Sequence, residues 1–189
     1  MSKIKALFLS SAKEFTDLRC IILLAMFGAI SVAIGLYTLN LSPTVKITFT
    51  FIPNNFAYYL FGPFVGIIYG AAMDVLNYFA NPSGEFFFGF TASAVVSGLI
   101  YGLLLYKRPL SLKRIIVANI IQMLTVDILM NTLWLSMLYG NAFMVLLPVR
   151  ALKELIMLPV ETIVLFSVIK GVEATGVIRL FHNKETQIL

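Results

Sequence analysis

The chain has 189 residues, 60% of them apolar and only 12% charged, with a mean hydropathy of +0.94. Soluble domains carry roughly 25% charged residues, so this composition excludes a soluble protein and indicates an integral membrane one. The formal net charge of +5 calls for no nucleic-acid partner, because anionic lipid headgroups account for a basic cytoplasmic face.

The amino-terminal stretch "MSKIKALFLSSAKEF" has too short an apolar core before Lys13 and Glu14 for a signal peptide. It reads, over residues 1–19, as a cytoplasmic amphipathic lead-in. Six apolar segments follow, at 20–39, 45–61, 64–80, 86–106, 115–139 and 143–169. Each is near the ~17–25 residues that a spanning helix needs. Continuous apolar runs without period-2 alternation argue against a β-barrel. The expectation is an all-α membrane protein, one bundle of six transmembrane helices forming a single domain over 1–189, with a cytoplasmic tail at 170–189.

Basic residues set the orientation. Lys3, Lys5, Lys13 and Arg19 precede the first span; Lys107, Arg108, Lys113 and Arg114 fill the loop between spans four and five; Lys170, Arg179 and Lys184 follow span six. With six spans these segments share one face, and the opposite face holds only Lys46. Both termini are therefore expected in the cytoplasm. Cys20 is the only cysteine and His182, in the tail, the only histidine. That excludes an internal disulfide and a multi-cysteine metal site, and neither a metal nor a cofactor is expected.

The stretch "LLPVRALKELIMLPVE" (146–161) carries four charges inside an apolar span. A charge at the centre of a membrane helix costs roughly 2.5–3.5 kcal/mol on insertion scales, so Arg150, Lys153, Glu154 and Glu161 need partners or water. At ~1.5 Å per residue, Asp74, Asn131 and Arg150 lie about 9, 12 and 10 Å below the outer ends of their spans. Asp74, Asn77, Tyr78 and Asn81 share one helix face, as do Asp127, Asn131 and Trp134. These groups suit a polar cavity open to the outside; the competing reading is that they join helices through ion pairs. Glu161, nearer the cytoplasm, suits an interface or a snorkelling role.

The segment "NPSGEFFFGFTAS" (81–93) sets a Pro82/Gly84 turn and Phe86, Phe87, Phe88 and Phe90 beside this cluster. An interfacial aromatic belt would look alike. Four rings near Arg, Lys, Asp and Asn also fit a flat aromatic ligand with acidic groups, through ring packing and charge-assisted bonds. No P-loop motif and no nucleophile–histidine–acid set is present, so the chain is not expected to be an enzyme. No internal repeat supports an inverted-repeat transporter. A capture protein without an engine needs a partner, and "AMFGAISVA" (25–33) puts Ala25, Ala29 and Ala33 in an i+4 row. Such a row allows close helix approach, either inside the bundle or to another subunit.

Three stretches, "KITFTFIPNNFAYYLFGPFVGIIYGAAMDVLNYFANPSGEFFFGFTAS" (46–93), "NTLWLSMLYGNAF" (131–143) and "LPVRALKELIMLPVE" (147–161), resemble the substrate-binding S components of energy-coupling-factor (ECF) vitamin transporters, and within them the folate-specific members. The alanine row resembles the A-x-x-x-A surface by which that family packs on its transmembrane coupling subunit. The resemblance implies a multi-pass protein of the bacterial cell membrane, part of an ABC importer complex. It would bind folate from outside, dock on a coupling subunit carrying two cytoplasmic ATPases, and deliver its substrate by toppling in the membrane. Asp74, Tyr78, Phe86, Phe88, Asn131, Trp134 and Asn54 are then expected to hold the ring system. Arg150 and Lys153 would compensate its carboxylates, and Ala25, Ala29 and Ala33 would meet the coupling subunit. The alternatives are an S component for another vitamin, an ion-coupled secondary transporter of an organic anion using Asp127 or Glu154 as a proton site, and a structural membrane subunit without a ligand.

Overall fold

The computed structural model describes residues 3–42, 45–82, 85–140 and 142–175. The expected tail from 176 on, with Arg179, His182 and Lys184, lies outside the described residues, as does Gly84 of the expected turn. The chain forms α1 (Lys3–Phe15), α2 (Leu18–Gly35), a hairpin of β1 (Leu39–Ser42) and β2 (Val45–Ile47), then α3 (Phe51–Ala80) and α4 (Phe88–Leu105). A long rod follows, made of α5 (Leu112–Gln122), a π-helix (Met123–Met130) and α6 (Asn131–Tyr139), and α7 (Phe143–Ala174) closes the bundle. Among the described residues five helical segments are long and apolar enough to cross a membrane: Leu18–Gly35, Phe51–Ala80, Phe88–Leu105, Leu112–Tyr139 and Phe143–Ala174. The protein is a multi-pass, all-α membrane protein.

Two expected boundaries are corrected here. Residues 36–39 do not continue the first helix and 45–50 do not begin the second. Instead β1 pairs antiparallel with β2, Leu39 opposite Ile47 and Asn40 opposite Lys46. Hydropathy alone extends the spans into this stretch. The β-branched run Val45–Thr50, broken by few helix formers, favours extended backbone.

The reversal inside α3 falls at Gly62-Pro63, in the gap left between the second and third expected spans. Gly62 has φ 82° and ψ −170°, a region open essentially to glycine alone. In an unbroken helix, residues 58 and 69 would be ~16 Å apart along the axis. Their rings instead meet edge to face with centroids 6.1 Å apart, and Tyr69 donates to Asn54 Oδ1 at 3.3 Å. The chain therefore doubles back, and 51–61 lies against 63–80. Ser11 of α1 serves the backbone groups at the break: its hydroxyl donates to the Phe61 carbonyl at 2.5 Å and accepts from Val65 N–H at 3.1 Å. Tyr106, fully buried at the end of α4, lies over Gly62.

The returning leg of α3 packs on α4 through small residues. A Cβ on Gly66 would sit 2.7 Å from the Gly98 carbonyl oxygen, and one on Gly70 2.6 Å from that of Ala94. Such backbone approach is how membrane helices gain contact without a hydrophobic driving force. The core is aromatic: Phe56, Tyr58, Tyr59, Phe61, Tyr69 and Tyr101 are buried where the two legs of α3 meet each other and α4. Apolar side chains on the outer faces, such as Ile22, Met26 and Ile30 of α2 and Leu152, Leu155 and Ile156 of α7, are exposed, as lipid-facing residues are.

Gly62→Ala should therefore be destabilising. The added Cβ would lie 2.7 Å from the Tyr106 ring, on top of a backbone strain of about 1–3 kcal/mol. Thermal unfolding in mild detergent is expected to show a clear drop in transition temperature; an unchanged transition would contradict this account of the reversal.

Candidate functional site

A cavity of about 450 Å³ opens between the β-hairpin, the ends of α2 and α3, the start of α4, the π-helix with α6, and α7. It receives Asn54, Asp74, Tyr78, Phe86, Asn131, Arg150 and Lys153, seven of the nine residues expected to bind substrate. The other two are outside the lining. Phe88 is 79% exposed and packs edge to face on Phe86, with centroids 5.0 Å apart. Trp134 stands behind the wall: its ring packs on Phe87 at 5.8 Å, and its indole N–H donates to Ser93 Oγ at 3.1 Å. The helical spacing that aligned Trp134 with Asp127 and Asn131 put it on the right side of its helix but one layer too far back.

The polar groups come from α3, the π-helix, α6 and α7, and most are held by bonds within the cluster. Asp74 Oδ2 accepts from Thr91 Oγ1 at 2.7 Å. Arg150 Nε donates to Thr132 Oγ1 at 3.1 Å and its Nη2 to the Asp127 backbone carbonyl at 3.2 Å. That carbonyl lies in the π-helix, and such widened turns often occur at functional sites. Asn131 Nδ2 donates to Asp127 Oδ1 at 3.3 Å, and Lys153 Nζ pairs with Glu154 Oε1 at 2.8 Å. The side-chain oxygens of Asn77 and Asn131 are buried without a hydrogen-bond partner among the described residues. Unmet buried acceptors cost about 1–3 kcal/mol each, so both favour a ligand bearing N–H donors.

Sequence reasoning named Asp127, Glu154, Asn77 and Asn81 without making them site residues, yet all four line the cavity. Their signal was the shared helix face. Phe87 and Phe90 line it as well, and Tyr78 packs on Phe86 with centroids 5.0 Å apart. Lys46, Thr48 and Thr50 reach it from the hairpin side; reading that stretch as a spanning helix concealed them. Among the described residues, no group of three or more His, Cys, Asp and Glu side chains could hold a metal ion.

Residues 19–169 match the family described as the substrate-specific component of ECF transporters. The chain belongs to this family. An ECF S component is a transport subunit, not a catalyst. The chain is 41% identical over 132 residues to the folate transporter FolT of Clostridium novyi (strain NT), covering 70% of this chain and 77% of that one. It is 31% identical over 151 residues to the folate transporter FolT of Leuconostoc mesenteroides, covering 77% and 81%. A crystal structure of FolT bound with folic acid superposes with a TM-score of 0.75 at 30% identity, covering 80% of this chain and 93% of that one.

The small-residue row of this S component faces outward. Ala25, Ala29 and Ala33 are all exposed, while Gly28 between them is buried against Met73, whose sulfur would be 3.2 Å from an added Cβ. Packing inside the bundle thus uses Gly28 and leaves the alanines available.

Trp134→Ala should destabilise more than Trp134→Phe. Trp134 is half-buried, so the alanine loses ring packing on Phe87 worth part of the about 3–5 kcal/mol that truncating a fully buried aromatic costs, whereas Phe keeps a ring and loses one hydrogen bond worth about 1 kcal/mol. Thermal unfolding of the two variants checks this; equal losses would show that the indole N–H carries the whole effect.

Proposed function

We propose that this S component captures folate from outside the cell and hands it to an ECF complex made of a transmembrane coupling subunit and two cytoplasmic ATPases. The observation that carries the reading is the composition of the cavity. Acceptors from Asp74, Asn77 and Asn131, the Phe86 wall, and the cations Arg150 and Lys153 all meet in one space. Folate offers the complements: a flat heterocycle with N–H donors, a second ring, and a glutamate tail with two carboxylates. The relatives named folate transporters, and the FolT structure bound with folic acid, support the same ligand.

Asp74 and Asn131 take the heterocycle edge in this reading, with Asn54, Tyr78 and Phe86 walling the rings. Arg150 and Lys153 compensate the carboxylates. Trp134 acts through Phe87, and Phe88 through Phe86. The two legs of α3 count as separate spans, so the chain crosses six times with both termini in the cytoplasm of a bacterial cell. The leg 51–61 is only ~16 Å long, and the hairpin residues before it complete the crossing. Non-helical backbone at membrane depth is tolerated where it lines a cavity, and Lys46, Thr48 and Thr50 do line this one.

Arg150→Ala should weaken folic acid binding by at least tenfold, about 1.4 kcal/mol, in a ligand titration of detergent-purified protein. Arg150→Lys, which keeps the charge and loses the planar fork, should fall between. Unchanged affinity in folded Arg150→Ala would assign Arg150 to helix packing through Thr132 and Asp127 alone.

Ala29→Trp separates capture from delivery. Ala29 is exposed on α2 and outside the cavity lining. A bulky side chain there blocks close helix approach. Folic acid affinity is expected to stay within about twofold (~0.4 kcal/mol), while ATP-driven uptake by the reconstituted complex and co-purification of the coupling subunit are lost. Normal uptake would remove the alanine row from the coupling surface.

A further inference from the structure

Asp74 is an acceptor that the folate reading sets against the heterocycle edge, and its support comes from outside the cavity lining. Thr91 of α4 is half-buried, does not line the cavity, and donates through Oγ1 to Asp74 Oδ2 at 2.7 Å. A helix threonine commonly turns its hydroxyl back onto the carbonyl four residues earlier, as Thr125 does to Ile121 and Thr162 to Leu158. Thr91 reaches across to another helix instead. Among the described residues Asp74 has no other hydrogen-bond or ion-pair partner.

The two helices hold this pair at a set separation. About one turn before Asp74, Gly70 lies so close to α4 that an added Cβ would be 2.6 Å from the Ala94 carbonyl oxygen, and Ala94 is about one turn beyond Thr91. Backbone packed on backbone leaves little room for one helix to shift against the other, so hydroxyl and carboxylate meet at a defined point. The donor is also neutral. It leaves the charge of Asp74 in place, whereas Glu154 is matched by the Lys153 ammonium at 2.8 Å. An ionised carboxylate offers about four lone-pair sites. Thr91 takes one, which opposes rotation of the group, and the others remain for donors in the cavity. Two oxygens in one plane suit two N–H donors side by side. Folate carries such a pair, its 2-amino group and the adjacent ring N–H.

We propose that Thr91 is a positioning residue for ligand recognition: it holds the Asp74 carboxylate in the plane in which both oxygens meet the paired donors of the heterocycle edge. The proposal rests on the folate reading for the identity of that ring. Bidentate, charge-assisted bonds gain from geometry as well as charge. A carboxylate free to turn keeps its charge and loses part of the pairing. Thr91 thereby favours a ring with two adjacent donors over a ring with one, without touching either.

The test is a titration of the purified full-length protein with folic acid and with its 2-desamino analogue, which keeps the ring N–H and the glutamate tail but lacks the amino donor. Thr91→Val keeps the side-chain shape and removes the hydroxyl. It should weaken folic acid binding about fivefold or more, the size of one net hydrogen bond, and the analogue less than about twofold. Thr91→Ser restores the donor and should bring folic acid binding back to within about twofold of wild type. Equal losses for the two ligands, unchanged folic acid affinity in Thr91→Val, or no recovery in Thr91→Ser would overturn the proposal and leave the bond as a tie between α3 and α4. If Thr91→Val does not fold, Thr91→Ala is titrated with the same two ligands, and the same outcomes decide. A wild-type protein that binds no folic acid would strike the folate reading itself, and the proposal with it.

Discussion

A charged side chain persists inside a bilayer only where protein partners or water face it. Arg150, Lys153, Glu154 and Asp127 impose that condition on two long elements at once, and the architecture around them follows from it. The rod that contains the π-helix and α7 must keep their polar sides together. Their other sides, represented by Leu129, Leu152 and Leu155, are exposed and apolar. Arg150 closes the arrangement by bonding across to Thr132 and to the Asp127 carbonyl of the π-helix. The same groups that hold these elements in register thus face a ligand-sized space.

The opposite wall depends on the reversal at Gly62. The two legs of α3 bring Asn54 and Tyr58 from one side, and Asp74, Asn77 and Tyr78 from the other, into a single surface. The reversal is held away from the cavity by α1 and the end of α4. Ser11 bridges the Phe61 carbonyl and the Val65 amide, and the Tyr106 hydroxyl bonds with Glu14 and Ser10 of α1. The amino-terminal helix is therefore part of the bundle's packing as well as a lead-in to the first span. At the cavity end, Asn81 Nδ2 donates to the Gly35 carbonyl at 3.0 Å and ties the end of α3 to the end of α2, the helix that carries the outward alanine row.

Much of this was legible in the sequence because the constraints are strong. Charges within apolar runs have few solutions, and helical spacing put Asp74, Tyr78, Asn131 and Arg150 on faces that do converge. Gly62-Pro63 fell in the gap between the second and third expected spans, and glycine's freedom at positive φ together with proline's missing N–H suits a reversal there. The hairpin at 39–47 was not legible: hydropathy does not distinguish a short apolar strand from the start of a helix, and Lys46, Thr48 and Thr50 were lost with it. Trp134 and Phe88 show the other limit. Face and depth locate a residue on the right side of its helix, but whether it lines a cavity or stands behind the lining depends on the size and tilt of its neighbours. The π-helix left no signal, because its residues, MLTVDILM, read as ordinary helix.

The central claim is that this cavity holds folate. Mass spectrometry of the small molecule released by denaturing the protein, after mild purification from folate-replete cells, tests it most directly. The account predicts a pteroylglutamate in about one-to-one ratio with the chain, lost together with Arg150 and Lys153 when both are replaced by alanine. A different vitamin, or no retained ligand from protein that is folded and monodisperse, would contradict it.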